Sequence, residues 1–209
     1  MRVYEQLLDR DTRWALHEGS MHFEEKSAVH DALHRLVERL TQLGIDYAVA
    51  GAMALFLHGY RRFTEDVDVL VTPEGLRAVH DQLSGRGYLP LFAGSKSLRD
   101  TESGVRIEFL VTGQYPGDDK PKPVAFPVPA DCSVERGGIK CVGLAKLVEL
   151  KLASGITNPG RLKDLADVQE VIRVLGMPRD FADQLNPFVR ERYRELWDGA
   201  QTDAAERGP

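Results

Sequence analysis

The 209-residue chain predicts an α/β (α+β) fold: a small mixed β-sheet flanked by helices and followed by a helical C-terminal part. Three observations lead there. Short apolar runs that suit strands, such as Tyr47 to Ala50, Asp66 to Val71 and Val105 to Val111, alternate with longer stretches whose apolar residues recur at helical spacing. The helical stretches carry their own punctuation, Gly44 closing one and Thr72-Pro73-Glu74 opening the next. Beyond residue 142 the remaining patterns are helical.

Composition sets the outer limits. With 43% hydrophobic and 28% charged residues, the chain has ample material for a core. A formal net charge of -5 and a pI near 5.7 argue against gripping nucleic acid through a large positive field, while leaving room for a local basic groove. No stretch is long and apolar enough to span a membrane, and MRVYEQLLDRDTRW carries acids where a signal peptide needs an apolar segment. A cytoplasmic protein with no membrane partner is expected. The two cysteines, Cys132 and Cys141, have neither zinc-ligand nor thioredoxin-like spacing. With Gly137-Gly138 as a two-residue hairpin turn, Glu135 faces Lys140 and Val134 faces Cys141, so the thiols sit diagonally and read as reduced packing residues.

Residues 1–27 read as an N-terminal extension, with a short helix around Val3 to Leu8 and with Trp14 and Leu16 packing on the back of the domain. An α/β domain spans 28–142. Its first helix aligns Val29, Ala32, Leu33, Leu36, Val37, Leu40 and Leu43 in a stripe that should cover one sheet face. His30 and His34 lie four apart on it, but without a zincin glutamate or an evident third ligand they read as polar residues bordering the stripe. Thr72-Pro73-Glu74 supplies a hydroxyl cap, a first-turn proline and an acid for a helix running to about Ser84. Tyr88 to Phe92 suits an edge strand, and Ala93-Gly94-Ser95 a turn. In Val105 to Val111 the odd-numbered residues are apolar, leaving Arg106, Glu108 and Leu110 on the other face. Gly113 to Pro129 is too rich in proline for regular structure and reads as a long surface loop; its Lys120 and Lys122 are either phosphate contacts or, more simply, solvated charges. A helical part, 143–198, follows: an apolar helix around Leu144 to Leu152, a break at Gly155 to Gly160, a helix from about Gly160, and a last amphipathic helix from Asn186-Pro187. Residues 199–209 read as a disordered tail.

The chemistry concentrates in residues 47 to 71. A strand ends in Gly51-Ala52, a turn that admits close backbone approach, and a helix start follows whose amides favour a phosphate. In Asp66-Val67-Asp68-Val69-Leu70-Val71 the valines share one face, so Asp66 and Asp68 project side by side from the other. Paired carboxylates repel unless a divalent cation or a shared proton lies between them, and all-oxygen ligation beside a phosphate suits magnesium.

The pattern Gly51-Ala52, Gly59, then Arg62-x-Thr64-x-Asp66-x-Asp68 resembles the signature of the nucleotidyltransferase superfamily that includes DNA polymerase beta, and most nearly its minimal bacterial branch, similar to the AbiEii abortive-infection toxins. That group usually has Gly-Gly or Gly-Ser where this chain has Gly51-Ala52. The resemblance implies Mg2+, with Mn2+ as an alternative, held by Asp66, Asp68 and a third carboxylate. Glu108 is the candidate, on the acceptor side, with pairing to Arg106 or Lys96 at the sheet rim as the competing account and with Asp100 and Glu102 as weaker substitutes. It implies nucleotide binding by Gly51, Ala52, Arg62 and Thr64. Downstream, KLASGITNPGRLKDLADVQEVI is similar to the element in which a lysine on one helix precedes a basic and acidic pattern on the next. There Lys151, Arg161 or Lys163 would support the triphosphate and Asp164 would orient one of them; the alternative is an exposed helix with an Arg161 to Asp164 ion pair. The activity implied is transfer of a nucleoside monophosphate from a nucleoside triphosphate to a hydroxyl on RNA, protein or a small molecule, in a toxin-antitoxin or phage-defence pair with a cognate antitoxin. The competing expectation is a non-catalytic member acting as nucleotide sensor or partner-binding module.

Overall fold

The computed structural model describes residues 3–207. In chain order the elements are α1 (Tyr4–Arg10), α2 (Thr12–Phe23), α3 (Ala28–Gln42), β1 (Tyr47–Val49), α4 (Gly51–Leu57), β2 (Asp66–Val71), α5 (Pro73–Leu83), β3 (Tyr88–Pro90), β4 (Ser97–Asp100), β5 (Arg106–Val111), α6 (Pro129–Cys132), β6 (Ser133–Arg136), β7 (Ile139–Val142), α7 (Leu144–Thr157), α8 (Leu162–Leu175) and α9 (Pro187–Arg207), with short 3-10 turns at Pro159–Arg161 and Arg179–Gln184. The seven strands form one mixed sheet in the order β3-β4-β5-β2-β1-β7-β6. β2 runs parallel to β5 and β1 parallel to β7; the other pairs are antiparallel. Among the described residues no helix is long and apolar enough to cross a membrane.

The alternation in β2 and β5 does what period-two patterning requires. Val67, Val69 and Val71 are buried beside Ile107, Phe109 and Val111, and α3 and α5 pack against β2. Thr72 caps α5 by accepting from the Gly75 amide at 3.0 Å. α4 packs against β2 and β7 and carries α7 behind it, whose residues from Leu147 to Gly155 are all buried because α8 and α9 also pack on it. In the β6–β7 hairpin Glu135 pairs with Lys140 and Val134 with Cys141, and both cysteines are free thiols.

Four expectations need correction. The N-terminal extension holds two helices. α2 begins where the Asp11 carboxylate accepts from the Trp14 amide, and Trp14 meets the buried Tyr4 edge-on at 5.3 Å. Leu16 points to solvent. Strand β4 escaped notice because SLRD has no apolar alternation; its charges are buried by partners far away in sequence, Arg99 by Glu5 at 2.8 Å and Asp100 by Arg35 at 2.6 Å. The helix α9 continues through Arg207, into the segment 199–209 whose composition suggested a tail, and Ala200 is buried against the body. Residues 208 and 209 lie outside the described residues.

The fourth correction concerns 113–129, which is a strap rather than a free loop. Gly117 has φ +85, and a β-carbon there would lie 2.7 Å from the Ser154 carbonyl oxygen, so glycine lets the strap rest directly on α7. Lys122 is no phosphate contact: its ammonium is buried, donating to Pro116 O, Asp118 and Thr157 Oγ1. Asn158 Nδ2 donates to Gly117 O at 3.0 Å. A Lys122→Met variant retains the apolar stem and removes three bonds, costing about 1–3 kcal/mol locally. Limited proteolysis should then cut between residues 113 and 128 several-fold faster; an unchanged cleavage rate would contradict the strap.

Candidate metal centre and anion cleft

The parallel register sets Asp68 opposite Glu108 and Asp66 opposite Arg106, with all four side chains on the face away from the valines. One oxygen from each of Asp66, Asp68 and Glu108 lies within 4.8 Å of the others. Glu108 therefore joins the aspartate pair, and the rim account holds only weakly. Lys96 donates instead to Gln114 at 2.6 Å, and Arg106 Nη2 is 2.8 Å from Asp66 Oδ2 but 3.9 Å from Glu108 Oε2. Asp66 is oriented further by Thr64, a buried hydroxyl that donates to Oδ1 at 2.8 Å. Asp100, the substitute considered, is committed to Arg35 and Ser103, and Glu102 is exposed with an ion pair to Arg35 at 3.3 Å.

Gly51 explains its own identity. It has φ +57, and a β-carbon built on it would overlap Asp68 Oδ2 and lie 2.7 Å from Asp68 Cγ. The glycine turn is folded directly over the carboxylate, and the Ala50 amide donates to the Asp68 carbonyl at 2.8 Å. Burial, then the charges of Asp66 and Glu108, push the Asp68 carboxyl up to about 7. Three hard oxygen donors converging on one point, one of them uncomfortable as a bare anion, fit a divalent cation. Because a ligating carboxylate must first lose its proton, cation affinity should rise about tenfold per pH unit up to about pH 7 and level off above it. Titration calorimetry in buffers of different ionisation heat checks this by counting released protons; a flat affinity from pH 5 to 8 would contradict it.

The triad opens into a cleft of about 560 Å³ whose lining includes Gly51, Ala52, Arg62, Thr64, Asp66, Asp68, Glu108, Lys151, Arg161, Lys163 and Asp164, but not Gly59 of the same signature. Their environments differ. Lys151 is buried, donating at 2.8 Å both to Asp164 Oδ1 and to Asp167 Oδ2; burial alone would lower its pKa, but the two aspartates hold the ammonium above its ordinary value. Asp164 also accepts from Ser154 Oγ at 2.7 Å, and Asp167 accepts from Arg62 Nη2 at 2.8 Å. Asp164 thus orients a base, and that base is Lys151 on the preceding helix; the i,i+3 pair with Arg161 does not form. Two cations and two anions balance within this network. Arg161 and Lys163, by contrast, are exposed at the cleft and make no ion pair among the described residues.

Two further residues matter that the sequence reading did not select. Asp167 ties Arg62, 105 positions away, to Lys151, and its spacing three after Asp164 was the available signal. Arg106 reaches into the triad: its parity with Glu108 was the available signal, and the strand register that sets it opposite Asp66 was not. His30 is buried, bonded to Ser27 Oγ at 3.0 Å, and His34, one turn further along α3, is exposed.

A mixed sheet gathers three carboxylates from neighbouring parallel strands under a glycine turn, a candidate cation site beside the exposed Arg161 and Lys163. Among solved structures the fold is that of nucleotidyltransferases. The chain is similar to ANT(2")-Ia, solved in complex with adenylyl-2"-tobramycin, at 10% identity and a TM-score of 0.52, covering 83% of this chain and 97% of that one. JHP933 from Helicobacter pylori (15% identity, TM-score 0.47, 83% and 89% covered) and an antigenic nucleotidyltransferase-like protein from Paracoccidioides brasiliensis (15%, 0.44, 86% and 88%) are more distant in shape. No protein-family model matches the chain, and no curated protein sequence does.

Proposed function

We propose that the protein is a magnesium-dependent nucleotidyltransferase that moves a nucleoside monophosphate from a nucleoside triphosphate to an acceptor hydroxyl. One observation carries the reading: the carboxylate triad and the glycine turn are the same place, with Gly51 lying against the Asp68 carboxylate. Divalent cations held by Asp66, Asp68 and Glu108 would supply neutralising charge to the phosphate oxygens and acidify the acceptor hydroxyl. The chain's own groups do the rest. The amides at Gly51 and Ala52 receive the outer phosphates by backbone alone, so the methyl of Ala52 is no obstacle. Arg161 and Lys163, the cations with charge to spare, meet the triphosphate, while the Lys151–Asp164–Asp167–Arg62 network fixes α7, α8 and the 62–64 segment around it. The acceptor oxygen bonds to the α-phosphorus as the bond to pyrophosphate breaks, and the acceptor proton passes to Glu108. The AbiEii-like group and a cognate antitoxin rest on the sequence resemblance of residues 47–71 and 151–172.

The test is label transfer. Protein incubated with α-labelled nucleoside triphosphates, magnesium and pools of cellular RNA, protein or small metabolites should pass label to one pool, and Asp68→Ala should not. Ala52→Ser should change the rate by less than about tenfold, or roughly 1.4 kcal/mol of barrier. Activity confined to the Ala52→Ser variant would make the natural chain a nucleotide sensor.

A further inference from the structure

The cleft lining divides by chemistry. Apart from the triad and the basic network, it is walled by Pro116 and Phe126 of the strap, Leu147 and Leu150 of α7, and Leu110 of β5, none of which has a polar side-chain atom. Phe126 is half-exposed and firmly placed: its amide donates to Gln114 O at 2.8 Å, and its carbonyl accepts from the Gly113 amide at 2.9 Å. Thr112 Oγ1 donates to Pro127 O at 2.9 Å beside it. This wall shares α7 with the phosphate-side residues. Leu150 adjoins Lys151, and Gly117 rests on Ser154 one turn further along, next to the Gly160–Arg161 corner. A ligand whose phosphates reach Arg161 and Lys163 therefore brings its remaining part against the same helix and strap.

We infer that this wall is the nucleobase subsite, in which the base stacks on Phe126 between Pro116 and Leu150 and is recognised as a flat apolar face without hydrogen-bond readout. The inference rests on the nucleotidyltransferase reading of the triad. The five side chains carry no donor or acceptor to read the polar edges of the bases, and the polar groups beside them are engaged, Ser154 Oγ with Asp164, Pro116 O with Lys122 and Gly117 O with Asn158; every base offers a π-face, so binding is tolerant of base identity. The enzyme is accordingly one that accepts purine and pyrimidine triphosphates alike.

Equilibrium binding to the full chain tests this without turnover. With magnesium present, the dissociation constants of ATP, GTP, CTP and UTP should agree within about tenfold. Phe126→Leu, which keeps an apolar side chain but loses the π-face, should weaken all four by about five- to tenfold and leave inorganic tripolyphosphate unaffected. Phe126→Trp should bind all four at least as tightly as the natural chain. A preference for one base above a hundredfold, or nucleotide affinity untouched by Phe126→Leu, would overturn the subsite alone and hand the wall to the acceptor. Equal weakening of tripolyphosphate would also overturn it, by showing that Phe126 acts only through the shape of the cleft. A natural chain that binds neither tripolyphosphate nor any triphosphate would remove the proposed function, and the subsite with it.

Discussion

The double variant Asp66→Asn, Asp68→Asn should fold, should lose magnesium-dependent binding of nucleoside triphosphate, and should transfer label at least about a hundred- to a thousandfold more slowly than the natural chain. The cause is charge. Three carboxylates within 4.8 Å of one another are costly when bare, and the nearby charges of Lys151 and of Arg106, the latter bonded to Asp66 at 2.8 Å, offset them only in part. Amides of the same shape remove the repulsion together with the ligands. In the natural chain, triphosphate at a hundredfold its dissociation constant stabilises the native state by about 2.7 kcal/mol, a shift of a few degrees in Tm. That shift should vanish in the variant, while the ligand-free variant melts no lower than the natural chain. The sign of the pH dependence follows for Asp68→Asn alone. The native Asp68 carboxyl titrates near 7 and its ordinary value is 3.8, so the favourable proton binding that the natural chain enjoys at low pH is lost as pH rises through about 7. The melting temperature of the variant relative to the natural chain should therefore climb between about pH 4 and 7 and stay level above.

Gly51→Ala should damage the fold and the metal site at once. Two penalties coincide: a side chain forced into the left-handed region at φ +57, and a β-carbon driven into the Asp68 carboxylate. Either Asp68 turns away or the turn unfolds from β1. The expected cost is about 2–4 kcal/mol, with loss of cation binding even where the fold survives. The neighbouring Ala52→Gly makes the control, since Ala52, the second residue of α4, has no positive φ and its replacement should alter cation binding little. Calorimetric melting and cation titration of both variants separate the two effects; a Gly51→Ala protein that binds magnesium normally would refute the packing of the turn on Asp68.

What could be read from the sequence was what local periodicity encodes. The Val67-Val69-Val71 alternation put Asp66 and Asp68 on one face, and the same parity in β5 put Glu108 there too; a parallel pairing of the two strands then brings the three acids together. Gly51 was legible as a turn, but the reason it admits no side chain lies 17 positions on, in Asp68. Long-range pairing was not legible. The partners of Arg62, Arg99 and Arg35 lie 105, 94 and 65 residues away, and nothing in the local pattern around β4 announces that its charges are buried. The strap was misread for a related reason: its prolines correctly excluded regular structure, but Lys122 and Gly117 fasten it to α7 through contacts that composition cannot encode.

The most direct measurement is a crystal soaked with magnesium and a non-hydrolysable nucleoside triphosphate. The structure predicts metal density touching the carboxylates of Asp66, Asp68 and Glu108, with the outer phosphates at the Gly51 and Ala52 amides and within reach of Arg161 and Lys163. Nucleotide bound elsewhere on the chain, or bound in the cleft with no metal at the three carboxylates, would contradict the account.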